Sequence, residues 1–169
     1  MELGLHAAGM RGDALSPFET RLLAGGTALV GPWGGWSLGP GLDLVWVDQE
    51  ATTYMYSAIA QRAFRSIGGF EPFLAAGVGG WTNRIDIPGA HASESDWMVP
   101  LWAGARWSRR PDAAWGVRAA FRDVIVWEEV PCGCVEIGDG PTPATGDTSA
   151  VHNWGISAGV FVRLGGMSP

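Results

Sequence analysis

The chain has 169 residues, of which 47% are hydrophobic and only 17% charged, against about 25% charged in an ordinary soluble domain. The formal net charge of −6 argues against nucleic acid as a partner. No uninterrupted apolar run of about 18 residues occurs, so a membrane could be crossed only by strands.

The length suits one domain, residues 1–169, built as a closed sheet of about eight strands. Met1 leads directly into an alternating segment, without a charged and apolar leader. The start is therefore read as mature or engineered, with an export signal already removed; taken literally, it would describe a cytosolic chain.

Strand 1 is predicted over Glu2–Met10, with Leu3, Leu5 and Ala7 on one face and Glu2, Gly4 and His6 on the other. Strand 2 covers Glu19–Val30, its facing blurred by Gly25 and Gly26, and Gly31–Gly35 forms a tight turn. Strand 3, Trp36–Val47, sends Trp36, Leu38, Leu42, Leu44 and Trp46 outward and Asp43 inward. Pro40 falls on the outer face, awkward for a paired strand. Asp48–Thr53 reads as a loop. Strand 4, Tyr54–Arg65, turns Tyr56, Ala58, Ala60 and Phe64 outward and leaves Arg62 to snorkel at the membrane edge. After the Ser66–Gly69 turn, strand 5 runs Phe70–Trp81 with Glu71 and Phe73 inward. Thr82–Asp96 reads as a polar loop. Strand 6, Trp97–Ser108, holds Trp102 and Arg106 inward; Arg109–Ala114 is a short turn. Strand 7, Trp115–Trp127, holds Arg118 and Arg122 inward, and Glu128–Ala150 is the longest loop. Strand 8 ends in Trp154-Gly-Ile-Ser-Ala-Gly-Val-Phe-Val-Arg-Leu164, with Trp154, Ile156, Ala158, Val160 and Val162 on one face and Gly155, Ser157, Gly159, Phe161 and Arg163 on the other.

One face is oily and tipped with tryptophan, and the other carries glycine, serine and charge. That is the alternation of a membrane barrel, and a soluble lipocalin-like binder would invert it. Two regularities support this reading. Connections are longer after strands 1, 3, 5 and 7 than after 2, 4 and 6, as in barrels with short periplasmic turns. Trp36 and Trp46 lie ten residues apart, as do Trp97 and Trp107, which is about the length of a tilted strand crossing hydrocarbon. Trp36, Trp107 and Trp115 then form one aromatic girdle, and Trp46, Trp97, Trp127 and Trp154 the other. Val117 and Ile156 are placed at mid-membrane between them. The fold class is all-β: an eight-stranded antiparallel up-and-down transmembrane barrel.

Phe70-Glu-Pro-Phe-Leu-Ala-Ala-Gly-Val-Gly-Gly80 and Asn153-Trp-Gly-Ile-Ser-Ala-Gly-Val-Phe-Val-Arg-Leu-Gly165 resemble the OmpA-like small outer-membrane barrels of Gram-negative bacteria. The resemblance implies an eight-stranded barrel with both termini in the periplasm. The chain departs from that pattern at its end, where Leu164 is followed by Gly-Gly-Met-Ser-Pro169 rather than a terminal aromatic. No peptidoglycan-binding segment follows in this sequence, which sets aside that anchoring role.

An interior just wide enough for side chains tolerates a charge only if it is paired. Glu2, His6, Asp43, Glu71, Arg106, Arg118, Arg122 and Arg163 are expected to form a lumenal network. Glu2 should meet Arg163, and Glu71 should meet Arg106 with Arg118 close by. Asp43 should reach Arg122 across the lumen, while Trp102 and Phe73 fill the remainder.

His91, Ser93 and Glu94 offer the elements of a nucleophilic site, but a Pro- and Gly-flanked loop defines no geometry for them. They read as solvated, and no catalytic residue, metal ligand set or cofactor is expected. Cys132 and Cys134 fall short of a zinc site. They could bridge each other as a small strained loop disulfide in an oxidising exterior, with partner-bound or lipid-modified states as alternatives. The acidic residues of the Thr82–Asp96 and Glu128–Ala150 loops read as a hydrated rim.

The expected function is a non-enzymatic outer-membrane scaffold with an occluded lumen. It touches membrane lipid and lipopolysaccharide and offers its long loops to an envelope protein. A narrow pore or small-solute carrier, a lipid-modifying barrel enzyme and a soluble lipocalin-like binder are the alternatives.

Overall fold

The computed structural model describes residues 1–12, 21–48, 51–87, 90–110, 113–129 and 148–164. Every regular element among them is a strand: β1 (Glu2–Gly12), β2 (Arg21–Trp33), β3 (Trp36–Asp48), β4 (Ala51–Ala63), β5 (Phe70–Ile87), β6 (Ala90–Trp107), β7 (Trp115–Glu129) and β8 (Thr148–Arg163). They close in chain order into one antiparallel barrel, β8 returning to β1 with Glu2 opposite Arg163 and Gly12 opposite Asn153.

The period-two pattern becomes two surfaces. Along β8, Val151, Asn153, Gly155, Ser157 and Phe161 are buried, while His152, Trp154, Ile156, Ala158 and Val160 are exposed. The exposed wall is the oily one, with Leu22 at 73% and Ile156 at 69% accessibility, whereas Phe161 inside is at 0%. Leu5, Leu42, Leu74, Val78, Phe121 and Val160 continue this apolar band around the outside. A contiguous apolar surface of this kind is unfavourable in water and matches hydrocarbon instead. The arrangement is opposite to that of a soluble lipid-carrying barrel.

The register also fixes the stagger. A path across paired residues from Gly104 of β6 through Ala120, Ser157, Ala8, Leu23, Val45, Thr53 and Asn83 returns to β6 at Glu94, ten residues away. Eight strands with that shear tilt about 40° from the axis and enclose an interior that side chains can fill. Pro40 sits outward and pairs with Ala58. On its other side the β2–β3 pairs pass from Thr27–Gly41 to Val30–Leu38. The missing N–H thus coincides with a break in the ladder.

The interior is layered. Near the end opposite the termini, Ala8, Met10, Leu23, Val45, Met55, Trp81, Met98, Val124 and Val126 form an apolar cluster. Leu29, Ile59, Phe73, Ala75, Trp102 and Ala120 form a second one. Leu23 and Leu29 resolve the facing of β2, since residues of their parity point inward.

Several expected boundaries are corrected. The supposed loop Thr82–Asp96 is mostly strand: β5 and β6 stay paired from Trp81–Asp96 up to Ile87–Ala90. Strand 4 begins at Ala51 and ends at Ala63, three and two residues before the predicted limits, so Phe64 and Arg65 lie beyond it. β8 begins at Thr148, within the predicted Glu128–Ala150 loop. The connections after β3 and β5 span only residues 49–50 and 88–89, so the expected alternation of long and short connections does not hold there. Cross-strand hydrogen bonding does not need an apolar face, so polar sequence above a membrane can prolong a hairpin that periodicity alone would end.

Depth is corrected too. Val117 pairs with Trp107 and therefore lies at the level of the lower tryptophans, not at mid-membrane. Ile156 pairs with Phe121, well inside the apolar band. Ile156→Arg should cost about 2–4 kcal/mol of folding free energy in lipid, and Val117→Arg only about 0–1 kcal/mol. Denaturant titration in vesicles measures both, and equal costs would contradict the assigned depths.

Candidate functional site

Period two sends Glu2 and His6 of β1, Asp43 of β3, Glu71 of β5, Arg106 of β6, Arg118 and Arg122 of β7 and Arg163 of β8 into the lumen. The structure gathers them at two levels. At the lower one, Arg106 Nη1 donates to Glu2 Oε2 at 2.6 Å and Nη2 donates to Glu71 Oε1. Arg163 Nη2 donates to Glu71 Oε2 at 3.0 Å, and its Nε lies 3.6 Å from Glu2 Oε2. Two carboxylates and two guanidiniums thus form a ring across the barrel seam. Phe161, which lies on the same inward face, sits under both cations, with guanidinium-to-centroid distances of 5.7 Å for Arg106 and 5.0 Å for Arg163.

At the middle level, Asp43 takes both Arg122 and His6. Arg122 Nη2 donates to Asp43 Oδ2, and His6 Nε2 lies 2.7 Å from Asp43 Oδ1. The Arg122 side chain is wholly buried and stacks 5.2 Å from the Trp102 ring centroid. Space for this cluster comes from Gly25, directly opposite Asp43 on β2, where an added Cβ would collide with Asp43 Oδ1. Arg118 is the exception. It is buried, donates to Thr27 Oγ1 at 3.4 Å and lies 5.1 Å from the Phe73 centroid, with no carboxylate at ion-pair distance among the described residues.

Near the opposite mouth, Asn83 Oδ1 accepts from Thr53 Oγ1 at 2.7 Å and from Trp81 Nε1 at 3.0 Å. The sequence reading missed this trio, although Thr53, Trp81 and Asn83 all keep the inward parity of their strands. It also missed Asp123. That residue lies on the outward face of β7, between Leu101 and Trp154, and its Oδ2 is 2.9 Å from Nδ1 of the half-exposed His152.

The girdle tryptophans Trp36, Trp97, Trp107, Trp115, Trp127 and Trp154 are all exposed on the outer wall. Trp46 belongs to β3, but its side chain lies outside the described set. Arg62 of β4 stacks over Trp36 at 5.5 Å, at the lower rim where its charge reaches water. His91 and Ser93 lie two apart on β6 rather than in a loop, with Asp86 and Arg84 as their register partners on β5. Cys132 and Cys134 fall outside the described residues.

The fold is that of the small eight-stranded outer-membrane barrels. The crystal structure of Neisserial surface protein A, at 15% identity, superposes with a TM-score of 0.69 over 96% of this chain and 96% of that one. The N-terminal barrel domain of Pseudomonas aeruginosa OprF gives 0.57 at 15% identity, covering 95% of this chain and 96% of that domain. Ail, the attachment invasion locus protein of Yersinia pestis, gives 0.51 at 13% identity with 95% of each chain covered. No protein-family model and no curated protein sequence matches the chain.

Arg106 bridges two carboxylates, whereas Glu71 has two guanidiniums and is less deeply buried. Arg106→Leu should cost about 3–5 kcal/mol, because it leaves two partly buried carboxylates to Arg163 alone. Glu71→Gln should cost less, since Arg106 keeps Glu2. Unfolding free energies in detergent measure both; the reverse ranking would contradict Arg106 as the hub.

Proposed function

We propose that the protein is an integral outer-membrane barrel with an occluded lumen, serving as a structural and interaction scaffold through the rim opposite its termini. The observation that carries this reading is the sorting of side chains. Leucine, valine and tryptophan stand outside, while buried charges stand inside, Arg122 bonded to Asp43 and Arg106 to Glu2 and Glu71. Such a wall suits lipid, and lipopolysaccharide is the natural neighbour of its upper rim. Guanidiniums held by carboxylates at two levels, with Phe73, Trp102 and Met55 between and above them, support an occluded lumen.

The paired β5–β6 extension above Trp81 supports the interaction role, because it carries backbone well past the Gly80–Trp97 level. Two proteins of the same fold bear names that refer to the cell surface and to attachment. That likeness favours a rim offered to an envelope or external partner over catalysis.

Two experiments test the proposal. In planar bilayers the wild type should give no steady conductance, and a stable open channel would favour the pore instead. In a variant free of native cysteine, Ser93→Cys, exposed on β6, should react with an impermeant maleimide on intact cells. Arg110→Cys, exposed at the end that holds the termini, should react only after the outer membrane is opened. Reversed labelling would invert the orientation.

A further inference from the structure

On the outer wall, β4 carries an arginine, two alanines and a tyrosine in one column, Arg62, Ala60, Ala58 and Tyr56, which share the outward parity. Their register partners flank them at each level. Trp36, Leu38, Pro40 and Leu42 stand on β3, and Leu74, Ala76, Val78 and Gly80 on β5. The alanines are shorter than Leu38 and Val78 beside them, and the middle of the column is a hollow of about 670 Å³. That volume is in the range of pockets that hold small ligands.

Both ends of the hollow are defined. Above, the Tyr56 ring lies across Gly80, where any Cβ would collide with it. Below, Arg62 stacks over the Trp36 ring at 5.5 Å, with no carboxylate at ion-pair distance among the described residues. The rise from Arg62 to Tyr56 is roughly 20 Å along the strand and, at a tilt of about 40°, roughly 15 Å along the membrane normal. That is half of a hydrocarbon core of about 30 Å, so the groove is as long as one leaflet is deep. Charge around this end has one sign. Arg62, Arg65, Arg109 and Arg110 stand on the outer wall and its turns, whereas Glu2 and Glu71, the acids described at this end, point into the lumen.

We propose that this groove is a site for one anionic phospholipid of the leaflet on the side of the termini. Arg62 takes the phosphate at headgroup depth, where its planar fork suits two phosphate oxygens. One acyl chain lies over Ala60 and Ala58 and stops at Tyr56. A second copy of the chain is a poorer occupant, because a two-fold axis along the membrane normal would set Arg62 against Arg62 at the same depth. The inference rests on the membrane-barrel reading yet fails separately from it, since a non-conducting barrel with the expected cysteine labelling could still leave this groove to passing lipid.

Native mass spectrometry of the full chain, refolded in detergent with dioleoyl phosphatidylglycerol, tests it. The wild type should keep one lipid after the detergent is stripped. Arg62→Gln, which removes the charge, and Ala58→Leu, which fills the hollow, should each lower that occupancy severalfold. Ala158→Leu, an outward alanine on β8, should leave it unchanged. Dioleoylglycerol, with the same chains and no phosphate, should not be retained. A wild type without bound lipid, equal retention of dioleoylglycerol, or an equal loss in Ala158→Leu would overturn the proposal. So would full occupancy in Arg62→Gln or Ala58→Leu, or a dimer that excludes the lipid. A gel shift between unboiled and boiled protein shows that each variant is folded, and should Ala58→Leu fail to fold, Arg62→Gln still decides.

Discussion

An arginine buried inside an eight-stranded barrel must find its partner on the lumen wall. This constraint organises the interior. Asp43 is shared between Arg122 and His6, and Glu2 and Glu71 are shared between Arg106 and Arg163. Two of these links, Asp43 with Arg122 from β3 to β7 and Arg106 with Glu2 from β6 to β1, cross the hollow, whereas Glu71 with Arg106 and Glu2 with Arg163 face each other on neighbouring strands. Backbone hydrogen bonds close the wall, but they would close it equally well around water. The ion pairs, with Phe161, Trp102 and Phe73 stacked on the guanidiniums, fill it.

The outer wall follows from the same alternation with the opposite chemistry. Removing apolar area from water is favourable at about 25 cal/mol per Å², and only lipid can supply that gain to an outward-facing Ile156 or Leu22. Asp123 is the one acid that the described wall places between Leu101 and Trp154, and the neighbouring His152 meets it. That pair keeps a polar group tolerable on a surface otherwise given to leucine, valine and tryptophan.

Which face a residue takes was legible in the sequence, because in a strand facing is decided by parity alone. Trp154, Ile156 and Val160 against Ser157, Phe161 and Arg163 needed nothing more. Neighbouring-strand contacts such as Glu71 with Arg106 could also be anticipated from hairpin order. Contacts across the hollow were less accessible. That Arg106 reaches Glu2, or that Arg118 turns to Thr27 and Phe73, depends on side-chain rotamers and on the ten-residue stagger, which no local pattern encodes. Strand ends failed for another reason. Thr82–Asp96 is polar on both faces, so periodicity saw a loop, whereas a hairpin above a membrane needs only its own hydrogen bonds. Depth failed likewise at Val117: its parity was plain, but its level beside Trp107 emerges only from the register.

The central claim is that Arg122 and Asp43 stabilise the barrel as a pair rather than as separate polar residues. A double-mutant cycle with Arg122→Met, Asp43→Leu and the combined variant, unfolded in lipid vesicles, measures this directly. Each single change should cost about 3–5 kcal/mol by leaving its partner buried and uncompensated, and the combined change should recover most of that loss. Single costs that simply add, or that are negligible, would contradict the account.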